Sequence, residues 1–105
     1  MKILKLDDMV GGWFLGSFEE TALKTDFEVC YKKHAKGEYC AAHYHKVATE
    51  VNLLVKGKMR INDKEIISGE IFIIEPYTVV FPEFLEDCEL VVVKTISDLK
   101  DKYLI

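Results

Sequence analysis

Residues 37–57 read GEYCAAHYHKVATEVNLLVKG. Two histidines, His43 and His45, stand one residue apart, and Glu50 follows five residues after the second. In an extended strand the side chains at i and i+2 share a face. Both imidazoles therefore point the same way, with Tyr44 opposite. The four residues KVAT suffice for a tight turn, so Glu50 opens the next strand, and an antiparallel neighbour returns its carboxylate to the histidines' face. Two neutral imidazoles and one carboxylate are a donor set for a first-row divalent metal, with positions left open for water or substrate. The alternating residues Val51, Leu53 and Val55 are apolar, so this is not simply a wet strand. Polar groups turned into a small interior cost several kcal/mol unless something satisfies them. Solvated polar residues in a metal-free pocket are the alternative reading of the same three side chains.

Outward from this stretch, period-two patterns dominate. Phe27–Tyr31 alternates, Lys58–Asn62 alternates with Met59 and Ile61 on one face, and EIFIIE runs up to Pro76. Asn62-Asp63 sits before KEII, where both residues tolerate positive φ and favour a tight hairpin. Glu89–Thr95 (ELVVVKT) reads as a near-continuous apolar strand buried on both sides. Only Phe18–Lys24 and Ile96–Tyr103 have room for a helical turn or two. Short strands separated by turn residues predict an all-β sandwich or barrel. One domain spans 1–105, with an N-terminal arm over 1–26, a barrel core over 27–95 and a C-terminal tail over 96–105.

The totals narrow the partners. A net charge of −4 over 105 residues, with lysines interleaved among acids, gives no basic surface for nucleic acid and no electrostatic membrane patch. No apolar run approaches the roughly 20 residues of a spanning helix. Asp7 and Asp8 interrupt the early apolar run, so the start does not read as a secretory signal; a cytoplasmic location is expected. Cys30, Cys40 and Cys88 are widely spaced and odd in number, which fits reduced thiols packed as small hydrophobes.

The spacing Gly37-x5-His43-x-His45-x4-Glu50-x6-Gly57 resembles the first motif of the cupin superfamily, matching at both glycines, both histidines and the glutamate. The resemblance extends over roughly residues 27–95. It implies a double-stranded β-helix, or jelly-roll barrel, and a metal held by His43, His45 and Glu50. The second cupin motif, G-x5-P-x-G-x2-H-x3-N, is degenerate. Gly69 and Pro76 are in place with one extra residue between them, and reading on from Pro76 puts Thr78 at the glycine and Phe81 at the histidine. The family's fourth protein ligand is missing. Glu83, two residues beyond Phe81, is a candidate substitute ligand; Glu75 and His34 are weaker ones.

Among small single-domain cupins this resemblance implies an isomerase, epimerase or lyase acting on a small polar, carbohydrate-like molecule through one divalent metal (iron, manganese, nickel or zinc). Tyr39, with the parity of His43, or Glu83 would then be the catalytic proton carrier. A non-catalytic ligand-binding or sensor cupin and an iron dioxygenase are the alternatives. Asn52 shares the face of Glu50, and Trp13 caps the barrel mouth or forms a subunit contact. The expected partners are a small-molecule ligand and a second copy of the chain, with the homodimer formed through edge strands and the N-terminal arm.

Overall fold

A computed structural model describes residues 1–98 and 100–105. In chain order its strands are β1 (Trp13–Gly16), β2 (Leu23–Lys24), β3 (Glu28–His34) and β4 (His43–Tyr44). There follow β5 (Glu50–Lys56), β6 (Lys58–Ile61), β7 (Lys64–Ile67) and β8 (Ile71–Ile74). The last three are β9 (Pro82–Phe84), β10 (Cys88–Lys94) and β11 (Tyr103–Leu104). They form a six-stranded sheet ordered β2-β1-β3-β10-β5-β8, a three-stranded sheet β7-β6-β9, and the pair β11-β4. All pairings are antiparallel except β1 with β2.

The core follows from alternation on the central strand. Cys88, Leu90 and Val92 of β10 face inward and are buried. They meet Cys30 and Leu54 of the flanking strands, and Met59 and Phe84 close on them from the smaller sheet. Burying each large side chain in this row is worth about 1.5–3 kcal/mol. The two sheets pack face to face as a jelly roll, and their ladders do not join into one continuous hydrogen-bonded barrel. The strand ELVVVKT is buried on one face only: Val91 and Val93 are half-buried, because no layer among the described residues covers the outer side. All three cysteines are free, and burial pushes the Cys30 thiol up to about 12.

The expected hairpin between β6 and β7 is present, with Asn62 (φ 48°) and Asp63 (φ 66°) both left-handed. The arm and tail join the sheets: β1 pairs with β3, and β11 pairs with the histidine strand β4. Neither proposed helical segment is helical among the described residues; the helical turns are 3-10 turns at Leu6–Asp8 and Val10–Gly12. Thr21 explains part of this, since its hydroxyl lies 2.9 Å from the carbonyl oxygens of both Phe14 and Leu23, shares its one proton between them and ties 18–24 to β1. No helix among the described residues is long and apolar enough to cross a membrane.

Both glycines bounding the quoted stretch have positive φ, 75° at Gly37 and 101° at Gly57. Gly57 also turns β5 into β6 directly against the backbone of Asp87, where an added Cβ would lie 2.3 Å from the carbonyl oxygen. Gly57→Ala is therefore expected to cost about 2–4 kcal/mol through left-handed strain and overlap, read as a fall in thermal midpoint. Gly37→Ala, which meets no atom within 4 Å, should cost clearly less.

Candidate functional site

The histidines and Glu50 arrive from different layers. His43 opens β4, which is held on one side by β11 and on the other by reciprocal backbone bonds between His43 and Val80 (3.3 and 2.9 Å). The Tyr77 N–H donates to the His45 carbonyl at 2.7 Å. Glu50 opens β5 in the six-stranded sheet, between Lys94 and Ile74. β4 and β5 are thus not ladder partners, and the carboxylate meets the imidazoles across an interior cavity of about 160 Å³. The cavity's walls are mainly apolar, with Met59, Ile61, Phe72 and Ile74 among them. His43, His45, Glu50 and Asn52 supply polar groups to it.

Burial disfavours the charged form of each group in this set. Burial lowers the His43 pKa, and a backbone carbonyl can only accept. The 2.9 Å contact from His43 Nδ1 to the Ala41 oxygen therefore makes Nδ1 the donor and leaves Nε2 with a free lone pair. His45 is 3% exposed, and burial lowers its pKa too, with Lys94 adding to the effect. Burial raises Glu50, with Lys94 and Lys102 acting against it. The rings of His43 and His45 lie edge to face, 5.5 Å between centroids. Glu50 Oε2 is 3.7 Å from His45 Nδ1, too long for a hydrogen bond. His45 Nε2 is buried with no partner.

These residues fit a divalent metal in donor chemistry: two imidazole nitrogens with available lone pairs and a carboxylate line one cavity. They are not assembled as three ligands, and no group of three or more His, Cys, Asp or Glu among the described residues is gathered to hold an ion. The carboxylate stands beside His45 Nδ1, the nitrogen opposite the unpartnered one. That is where an acid orients a metal-binding imidazole through its other nitrogen.

Neither proposed proton carrier reaches the cavity. Tyr39 is 87% exposed in the loop before β4, because that loop is not strand and the parity argument does not extend to it. Glu83 points outward from β9 and pairs with Arg60 at 3.2 Å. Glu75 is exposed as well. His34 does line the cavity, stacked on Phe84 at 4.1 Å with its Nδ1 against the Glu38 carboxylate.

The register of the second motif explains why Glu83 faces outward. Tyr77 has φ 65°, the conformation a glycine favours, and Val80 faces His43 and the cavity. Phe81 is 55% exposed. The spacing thus runs from Gly69 rather than from Pro76, and the cavity-facing position opposite His43 is the aliphatic Val80. Glu83 shares the outward face of Phe81.

Sequence reasoning passed over Asp101, Lys32, Lys94 and Lys102. The three lysines line the cavity. Lys94 carries a readable signal: it continues the inward parity of Cys88, Leu90 and Val92 on a strand whose apolar character drew the eye away from it. Asp101 is buried, and its carboxylate accepts from the N–H groups of Lys46 (2.7 Å), Val47 (3.1 Å) and Ala48 (2.8 Å). It thereby fixes the loop between His45 and Glu50 from the far end of the chain.

No family model matches the chain, and no curated protein does. Solved structures do. A double-stranded β-helix protein from Klebsiella pneumoniae subsp. pneumoniae MGH 78578 superposes with TM-score 0.70 at 20% identity, over 98% of this chain and 90% of that one. A cupin-2 domain protein from Shewanella frigidimarina NCIMB 400 gives 0.57 at 22% identity, over 66% and 70%. A structure described as a sugar phosphate isomerase of the cupin superfamily, from Silicibacter pomeroyi DSS-3, gives 0.64 at 14% identity, over 78% and 58%. The chain has the cupin fold. Within it, the first-motif residues occupy the cavity wall, while the second-motif segment contributes only apolar side chains there.

Asp101 gives this site a stability test. Burial alone would raise its pKa, but the donors from Ala48, Lys46 and Val47 outweigh that and hold it below the usual carboxylate value. A depressed folded-state pKa means its contribution is complete above the unfolded value of ~3.9 and is lost as pH falls through the lower folded value. Asp101→Asn is expected to lose roughly 1–3 kcal/mol at pH 7, from the charge-assisted bonds its carboxylate accepts. In denaturant titrations the gap between the two proteins should narrow only below about pH 4.

Proposed function

We propose that this chain is a metal-binding cupin whose cavity takes a small polar ligand. The buried, unpartnered Nε2 of His45 carries the reading: an orphaned buried nitrogen costs about 1–3 kcal/mol, and a ligand there removes that cost. His43 Nε2, freed by the bond from Nδ1 to Ala41, supplies the second donor. Glu50 completes the set or orients His45 through Nδ1. A bound divalent metal would supply Lewis-acid polarisation of a ligand oxygen.

The enzymatic form of this reading is an isomerase- or lyase-type reaction on a carbohydrate-like molecule, supported by the resemblance to the sugar phosphate isomerase of Silicibacter pomeroyi. Glu50, the sole carboxylate lining the cavity among the described residues, is then the group placed to hold or move a proton. The apolar walls would keep water from it. The exposure of Tyr39 and the outward turn of Glu83 favour, as a second reading, a binding or sensor module without turnover.

Elemental mass spectrometry of protein purified without tag or chelator tests the metal. About one equivalent of iron, manganese, nickel or zinc is expected, and none in His43→Ala/His45→Ala. Protein that stays empty after incubation with each metal would overturn the proposal.

The same reading includes a homodimer. Val51, Ile73, Leu53 and Ile71 stand in cross-strand register on the outer sheet face with Val91 and Val93. Ile71 and Ile73 are exposed on the edge strand β8, and a contiguous apolar patch of this kind marks an interaction face. Sedimentation should give twice the 12.1 kDa chain mass. Ile71→Glu/Ile73→Glu should give a folded monomer.

A further inference from the structure

We infer that the cavity selects a small anion, a carboxylate or phosphate, and receives it on Lys32, Lys94 and Lys102. This rests on the reading of the cavity as a ligand site and names its ligand class. The chain as a whole is acidic, at −4, yet these three ammonium-bearing side chains line the same cavity, against the single carboxylate of Glu50. They come from β3, from the central strand β10 and from the tail, so the fold converges them and no run of lysines in the sequence does.

Among the described residues, no carboxylate oxygen lies within 4.0 Å of any of the three ammonium groups. Glu28 is opposite Lys94 in the ladder and buried, but it makes no such contact. Two of the lysines are placed by an aromatic face instead: Lys94 Nζ lies 5.1 Å and Lys32 Nζ 5.7 Å from the Trp13 ring centroid. A π face steers an ammonium group without neutralising it, which leaves both free to meet an anion. A low-dielectric cleft in which one sign of charge outnumbers the other, here three ammonium groups to one carboxylate, focuses its field on the opening. The volume, about 160 Å³, falls below the ~300 Å³ of ordinary ligand pockets, so the part of the ligand that the cavity encloses, its anionic end, is only a few heavy atoms across.

Trp13 is the chain's single tryptophan and touches the proposed site, so its fluorescence reports entry. Protein is titrated with malonate, with inorganic phosphate and with the neutral isostere malonamide, before and after metal removal by a chelator. A saturable response to malonate or phosphate, absent with malonamide and retained after chelation, is expected; the tighter of the two anions identifies the headgroup. Lys94→Met should weaken it at least tenfold. Lys102→Met, at an exposed position of the docked tail, should weaken it several-fold. Lys56→Met, outside the cavity, should not change it. Equal response to malonamide, no response to either anion, or wild-type affinity in both Lys94→Met and Lys102→Met would overturn the inference. A response abolished by chelation and indifferent to the lysines would place the anion on the metal, overturning this inference while leaving the metal reading intact. An empty metal assay beside a lysine-dependent anion response would do the reverse.

Discussion

Cross-strand register on β10 is the constraint that makes both the core and the site. Leu90 stands opposite Lys32 and Leu54, Val92 opposite Cys30 and Asn52, and Lys94 opposite Glu28 and Glu50. Residues directly opposite share a face, so each step of two along the strand lays down one row across the sheet. Moving from Leu90 to Lys94, the inner face passes from a mainly apolar row to a row of three ionisable side chains, Glu28, Lys94 and Glu50. A slip of one residue would turn Val91 and Val93 inward and expel the whole set. The apolar end fixes the register, and the polar end inherits its geometry from it.

That inheritance explains where the unsatisfied groups lie. Glu28 Oε1, His45 Nε2 and Asn52 Nδ2 are buried without partners. Glu28 and Asn52 sit in the last two rows, and His45 lines the cavity that Asn52 also lines. Buried polar atoms are ordinarily paired, and a fold that scattered exceptions would simply be less stable. Here His45 and Asn52 line the cavity itself, and Glu28 stands in the ladder opposite Lys94, a cavity cation with no carboxylate within 4.0 Å among the described residues. Orphaned polar atoms that line a cavity are the positions at which a bound group would relieve the largest desolvation cost.

Much of this was legible from local alternation. The strands around Val29, Met59 and Leu90 and the Asn62-Asp63 hairpin follow from period two and turn chemistry; His43, His45 and Glu50 do line one cavity, but β4 and β5 are not the antiparallel neighbours that the KVAT turn suggested. What failed did so where register crosses an irregular segment. One extra residue between Gly69 and Pro76 leaves two ways to count, and only the positive φ at Tyr77 decides that Val80, not Phe81, faces inward. Tyr39 was assigned a face by extending a strand that is in fact two residues long. ELVVVKT looked buried on both sides because hydrophobicity records what a face can cover, not whether a second layer is present. Lys94 was hidden for the same reason: a lysine ending a valine run reads as a solvated stop unless its parity is followed.

Asp101 was illegible for a different reason, since nothing in SDLKDKYLI distinguishes one surface aspartate from another. Its role depends on a contact 53 to 55 residues away in sequence. Once docked, the tail commits three consecutive residues to the site. Asp101 grips the backbone after His45, Lys102 lines the cavity, and Tyr103 pairs with Tyr44 and stacks on it at 5.4 Å. Lys46 closes the circle with its ammonium 4.1 Å from the Tyr103 ring. A loop held only by its own turn chemistry would leave His45 free to shift relative to Glu50. Here the position of His45, the placement of one cavity cation and the docking of the tail form one cooperative unit. Any ligand that binds the assembled cavity must therefore also stabilise the tail, since it binds only the state in which the tail is docked.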